Sequence, residues 1–138
     1  AREVCECEAL LRWTHPVLGF IRPDEFVLLA ERSGNIRRVT DWVIDAAIRQ
    51  AAEWNRRGMT MRVAVNLSAH DLADAGLHQV VRDGIARYGA DGSMLTLEIT
   101  ESAVLRDRDR AAEMLLRLKG LGIRLSIDDF GTGHSSLA

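Results

Sequence analysis

Runs in which apolar and polar residues strictly alternate recur about every thirty residues along this chain, and that repeat leaves few folds open. Between Met61 and Leu67 the apolar Met61, Val63, Val65 and Leu67 alternate with Arg62, Ala64 and Asn66. Leu95, Leu97 and Ile99 alternate with Thr96, Glu98 and Thr100, and Ile123, Leu125 and Ile127 alternate with Arg124, Ser126 and Asp128. A period of two sends successive side chains to opposite faces of a strand. Asn66 and Glu98 are 32 residues apart and Glu98 and Asp128 are 30 apart, the length of a strand, a crossover helix and the next parallel strand. An earlier run over residues 3–13 places Cys5, Cys7, Ala9, Leu11 and Trp13 on one parity, with Glu6, Glu8, Leu10 and Arg12 on the other, and reads as one further strand.

Parallel strands joined by right-handed helical crossovers make either a doubly wound sheet or a (β/α)8 barrel. Central strands of a doubly wound sheet are usually apolar on both faces, so the alternation favours an α/β fold of the TIM-barrel type. The intervening stretches carry helical signals. Pro23 suits a first helical turn, with Asp24 and Glu25 at its positive end and Gly34 as its stop. A longer helix is predicted over residues 36–57, with Trp42 and Trp54 as core anchors on its apolar stripe. Ser68 and Asp71 form something close to a capping box. A stripe of Leu77, Val80, Val81, Ile85 and Tyr88 ends at Gly89, and a last helix over residues 107–119 turns Met114, Leu115 and Leu118 inward. Residues 15–21, with Pro16 and Gly19, read as a loop.

The chain has 138 residues, 47% hydrophobic and 28% charged, with formal net charge −2, enough for one ordinary soluble core. No apolar run approaches about 18 residues and no signal-peptide pattern or like-charge block is present, so neither membrane contact nor secretion is indicated. The near-neutral charge argues against a surface for nucleic-acid polymers. Cys5 and Cys7 lie two apart on one strand face and read as reduced packing residues of a cytoplasmic domain. His15, His70, His78 and His134 show no ligand spacing and suit surface or loop positions.

Glu8, Asn66, Glu98 and Asp128 share the polar parity of their runs and lie near the carboxyl ends. Carboxylates and an amide oxygen converging from neighbouring strands are the donors a hard divalent ion such as magnesium takes. Asp129 follows Asp128 and the pair would suit a second ion, two ions about 4 Å apart being able to clamp a phosphodiester. Arg12, placed on the face of Glu8 and further along, is positioned to hold a phosphate. Glu6 and Arg62 share the same parity, so a barrel-filling ion pair stands as the alternative for some of these charges. The stretch Phe130-Gly131-Thr132-Gly133 reads as a turn, and Asp128, His134 and Ser135 do not make a nucleophilic triad by being close in sequence.

The motifs Glu8-Ala9-Leu10, Leu11-Arg12-Trp13, His15-Pro16, Val65-Asn66-Leu67-Ser68, Glu98-Ile99-Thr100-Glu101-Ser102 and Asp128-Asp129-Phe130-Gly131-Thr132-Gly133 together resemble the EAL domain, in that family's order. EAL domains are bacterial phosphodiesterases that hydrolyse the second messenger cyclic di-GMP to linear pGpG. The resemblance implies that Glu8, Asn66, Glu98 and Asp128 bind one Mg2+ or Mn2+, and that Asp128 with Asp129 serves the second. Glu8, Asp128 and Asp129 would then be catalytic, with Leu10 and Arg12 at the substrate. It also implies that Glu101 steadies the loop from Asp129 to Gly133, which in the family couples metal binding to dimerisation, and that a GGDEF or sensory domain flanks the segment.

Glu6 stands where the family commonly has glycine and His134 where it has tyrosine. A complete barrel takes about 250 residues, so residues 1–138 are expected to be a single partial EAL domain of about four strands. It would lack the first strand and the last strands, which carry the family's catalytic lysine, a later glutamate and a late glutamine. That implies a chain with little activity alone and, because open sheet edges associate, a homodimer. Two rival functions are a non-catalytic cyclic di-GMP-binding or regulatory module and an enolase-like metal barrel. The second would need a lysine or histidine base on a strand, which Asp128-Asp129 and the glycine loop do not suit.

Overall fold

A computed structural model describes residues 5–128. Strand β1 (Cys5–Glu8) is followed by β2 (Trp13–His15), β3 (Gly19–Ile21), α1 (Pro23–Ser33), α2 (Ile36–Arg56), β4 (Met61–Leu67), α3 (Ala69–Ala73) and α4 (Leu77–Tyr88). A short 3-10 turn (Gly92–Met94) then leads into β5 (Leu95–Thr100), α5 (Glu101–Leu105), α6 (Arg108–Lys119) and β6 (Arg124–Asp128).

The four longer-range strands form one parallel sheet in the order β1-β4-β5-β6, which is also their order along the chain. One face buries Val63, Val65, Leu67, Leu95, Leu97 and Ile99 against Ile44, Ala47 and Ile48 of α2, Leu77 and Val81 of α4, and Met114 and Leu118 of α6. The other face carries Arg62, Asn66, Glu98, Ser126 and Asp128, all at least partly accessible. A doubly wound sheet reverses its strand order and covers both faces with helices. Unbroken order with helices on one face is instead an arc of a (β/α)8 barrel whose polar face is the lumen.

Local chemistry explains the element ends. Pro23 opens α1 with Asp24 and Glu25 in its first turn, and Gly34 closes it at φ 78. Ser68 and Asp71 complete the capping box of α3, the Ser68 hydroxyl accepting from the Asp71 N–H while the Asp71 carboxylate accepts from the Ser68 N–H. Asp71 is 1% exposed and also accepts from Thr40 Oγ1 at 2.9 Å and Arg37 Nη1 at 3.0 Å, which ties the start of α2 to the turn after β4. Arg37 keeps Asp41 and Asp74 as further partners. Asp71→Ala is therefore expected to cost about 2 kcal/mol, since it orphans a buried hydroxyl and the cap but leaves the guanidinium paired; urea denaturation measures it.

Three expectations are corrected. The run over residues 3–13 is not one strand, because β1 stops at Glu8: the Ala9 N–H still reaches the Ala64 carbonyl at 2.8 Å, and the chain then leaves the sheet. Residues 15–21 are not simply a loop, because Gly19–Ile21 pairs antiparallel with Trp13–His15. Pro16 lies in the connection of this hairpin and Gly19, at φ 75, opens its second strand; within the connection the His15 Nδ1 accepts from the N–H groups of Val17 and Leu18. Trp42 is no core anchor, being 65% exposed, whereas Trp54 does pack against the core. The buried stripe of α2 runs through Ile44, Ala47, Ile48 and Ala51, and Trp42 sits two residues, roughly 200°, around the helix from Ile44.

Candidate functional site

The lumen face gathers the polar residues of successive strands in a staggered row. Asn66 of β4 lies opposite Glu98 of β5. Glu8 ends β1 level with Ala64, one pleat before Asn66, and Asp128 ends β6 level with Thr100, one pleat beyond Glu98. Such a stagger is the shear that strands acquire when a sheet curls into a barrel. Side chains bridge it: the Asn66 Nδ2 donates to Glu8 Oε1 at 2.8 Å across 58 residues of sequence.

Electrostatics reports the same convergence. Burial pushes the half-buried Glu98 carboxyl above the ordinary glutamate range, and the negative charges of Glu8, Asp128 and Glu6 push it further. Among the described residues Asn66 donates to Glu8, while no basic side chain or hydrogen-bond donor acts on the Glu98 carboxylate itself. The carboxylate oxygens of Glu8, Glu98 and Asp128 and the amide oxygen of Asn66 are of the donor type that fits a hard divalent cation. Among the described residues no three His, Cys, Asp or Glu side chains come close enough to chelate an ion by themselves, so the row is gathered but not closed around one point. Asn66 is outside that set, and Asp129 lies outside the described residues.

Arg12 does not sit where strand parity put it. Since β1 ends at Glu8, Arg12 lies in the connection to β2, its guanidinium 5.9 Å from the Phe20 ring centroid. It nevertheless stays near the row, because Glu8, Leu10 and Arg12 line one cavity of about 430 Å³ together with Trp42 and Trp54 of α2. On its other side Arg12 shares a cavity of about 520 Å³ with Phe26, Arg38 and Trp42. Arg38 and Trp42 were not foreseen here; a tryptophan off the buried stripe of its helix was the available signal. Glu101 opens α5, immediately after Thr100, whose hydroxyl accepts from the Ala103 N–H. The loop that Glu101 was expected to steady, from Asp129 to Gly133, lies outside the described residues.

Glu6 and Arg62 are in register but form no ion pair among the described residues; Arg62 Nε donates instead to the Ser93 carbonyl at 3.1 Å. Cys5 and Cys7 are free thiols, Cys5 exposed and Cys7 half-buried. No described helix is long and apolar enough to cross a membrane.

Comparisons with known proteins agree with this geometry. The family model described as EAL domain matches residues 1–138. The chain is 47% identical over 131 residues to the cyclic di-GMP phosphodiesterase PA2567 of Pseudomonas aeruginosa, covering 94% of this chain and 22% of that protein. It is 38% identical over 136 residues to the cyclic di-GMP phosphodiesterase PdeR of Escherichia coli, covering 99% of this chain and 21% of that protein. Among solved structures, the MucR phosphodiesterase of Pseudomonas aeruginosa in complex with c-di-GMP superposes with TM-score 0.85 at 47% identity, over 94% of this chain and 53% of the other. The chain thus spans about a fifth of the length of these two relatives and about half of the solved MucR chain. On its sequence motifs, its one-sided parallel sheet and these matches, the chain belongs to the EAL domain family.

Proposed function

We propose that this chain is the cation- and substrate-binding part of a cyclic di-GMP phosphodiesterase domain in bacterial signalling, which hydrolyses cyclic di-GMP to linear pGpG. The observation that carries the reading is the bond from Asn66 to Glu8 in a row that continues through Glu98 to Asp128. Glu8, Asn66, Glu98 and Asp128 hold one Mg2+ or Mn2+, and Asp128 with Asp129 holds the second. Such cations supply neutralisation of phosphate charge and acidification of water. The protein's own part is orientation. The Asn66 amide fixes the Glu8 carboxylate, and the Arg12 guanidinium, on the cavity it shares with Glu8 and Leu10, offers paired N–H donors to a phosphodiester while Leu10 packs beside it. Glu101 steadies the loop from Asp129 to Gly133.

The test is hydrolysis of cyclic di-GMP to pGpG by the intact protein that carries this segment, in Mg2+ or Mn2+. Turnover that Glu8→Ala removes supports the reading. Binding of cyclic di-GMP with no turnover under any divalent ion would make the domain a non-catalytic receptor instead. The 138 residues alone, which span 53% of the solved MucR chain, are expected to show little or no turnover.

Among the described residues β1 and β6 are the outer strands of the sheet, each with one neighbour. Unpaired strand edges recruit further strands, so the isolated chain is expected to form a homodimer; light scattering that finds a folded monomer at micromolar concentration refutes this. We place the domain in the cytoplasm and beside a GGDEF or sensory domain; the flanking domain is supported by the relative MucR, named as a bifunctional diguanylate cyclase and phosphodiesterase.

A further inference from the structure

The end of β4 that presents Asn66 is held by the sheet on one side only. Its pairing with β1 stops at Ala64, where the Ala9 N–H reaches the carbonyl, while Asn66 and Leu67 pair with Glu98 and Ile99 of β5. On the unpaired side lies a cavity of about 230 Å³, lined among others by Leu10, Val43, Asn66, Leu67 and Ser68. Packing there is incomplete, since even the buried Leu67 borders the cavity. A strand end with one free side and loose packing keeps a single position only if something else restrains it.

An ion cluster on α2 supplies that restraint. Two residues beyond Asn66, the Ser68 N–H and hydroxyl donate to one oxygen of the Asp71 carboxylate at 2.8 and 3.0 Å. The same oxygen accepts from Thr40 Oγ1 at 2.9 Å, and the other accepts from Arg37 Nη1 at 3.0 Å. Arg37 also donates to Asp41 at 2.6 Å and to Asp74 at 3.0 Å, so a single guanidinium stands among three carboxylates. The planar fork of arginine holds such acceptors in fixed directions. Without it the three carboxylates, that of Asp71 only 1% exposed, would repel one another and drive α3 with its cap away from α2.

We propose that Arg37 is a positioning residue for the candidate cation site. By holding Asp71 against α2 it fixes Ser68 and the strand end behind it, and so keeps the Asn66 amide where it bonds Glu8 and faces Glu98. The inference rests on the cation-binding reading of Glu8, Asn66, Glu98 and Asp128, and adds to it a residue bonded to none of them.

The experiment measures Mn2+ affinity in the intact protein that carries this segment, counting the binding that Glu98→Ala removes, together with urea denaturation. Arg37→Gln is expected to bind Mn2+ about tenfold more weakly, the low end of what changes behind metal ligands cost, and to unfold at lower urea. Val81→Ala, which opens a hole in the core beneath α4, should also unfold earlier but bind Mn2+ as wild type does. In an Asn66→Ala background Arg37→Gln should weaken binding no further, because the placement of residue 66 then no longer matters. Thr40→Val keeps every charge and nearly the same shape while removing one bond to Asp71, and is expected to weaken Mn2+ binding by a smaller factor. Unchanged affinity in Arg37→Gln overturns the proposal. An undiminished loss in the Asn66→Ala background, or an equal loss in Val81→Ala, overturns it too. If Arg37→Gln fails to fold, Thr40→Val decides alone, and unchanged affinity there overturns the proposal. A wild-type protein with no Mn2+ site sensitive to Glu98→Ala refutes the cation reading itself and removes this inference with it.

Discussion

Gly92→Ala is expected to remove at least about 4 kcal/mol of stability, placing it in the tail of single substitutions that few mechanisms reach. A Cβ on Gly92 would stand 2.0 Å from the Leu121 carbonyl oxygen and 3.0 Å from the Gly122 carbonyl carbon. Both obstacles are backbone, in the turn between α6 and β6, so no side-chain rotation relieves the clash. The alternative is to separate that turn from the 3-10 turn that leads into β5, which would shift the strand carrying Glu98 against the one carrying Asp128.

Gly84 supplies the control. A Cβ there would meet the Ile48 Cδ1 at 2.9 Å, the far end of a flexible side chain. Gly84 also lies inside α4, where alanine recovers up to about 1 kcal/mol of helix propensity. Gly84→Ala is therefore expected to change stability little, while Gly92→Ala unfolds much of a protein whose total stability is of the usual 5–15 kcal/mol order, about which urea denaturation of both variants decides. Equal small effects would mean that the 3-10 turn and the α6–β6 turn are not in contact.

The strands were legible because a barrel treats its two faces differently: Val63, Val65 and Leu67 against Arg62, Ala64 and Asn66 is the pattern of a strand packed by helices on one face. The polar parity likewise put Asn66 and Glu98 on one face, where the sheet register sets them opposite each other. Parity carries no information past a strand's end, which is why Arg12 was placed wrongly in detail and reached the row only through the cavity it shares with Glu8. The β2–β3 hairpin was missed because three-residue strands are too short for alternation to register and Pro16 and Gly19 dominate the local signal. Asp71 was readable as a cap, whereas its bond to Arg37, 34 residues away, left no local trace. For Trp42, helical spacing gave the period of α2 but not its rotation, which the core of Ile44, Ala47 and Ile48 sets. Roles for Leu10, Glu101 and Asp129 came from the family's motifs and not from periodicity.

Glu98→Gln is expected to weaken Mg2+ or Mn2+ binding at least about 100-fold, beyond the range of outer-shell changes because a charged donor itself is lost, and to remove hydrolysis by the intact protein with it. The same change should make the metal-free protein more stable. In the wild type, burial and the charges of Glu8, Asp128 and Glu6 hold the Glu98 carboxyl above its ordinary range, so folding favours its protonated form. Stability from this group is then present below the unfolded-state value and is lost as pH rises through the folded-state value. Metal-free wild type should therefore melt higher at about pH 5 than at about pH 7 by a margin that shrinks in Glu98→Gln, where nothing titrates at this position. A divalent cation reverses the order, because only the wild-type carboxylate row gains from it. Melting curves of both proteins at the two pH values, with and without Mn2+, separate these outcomes: a Gln variant that is stabilised by Mn2+ as much as wild type would show that Glu98 faces no cation.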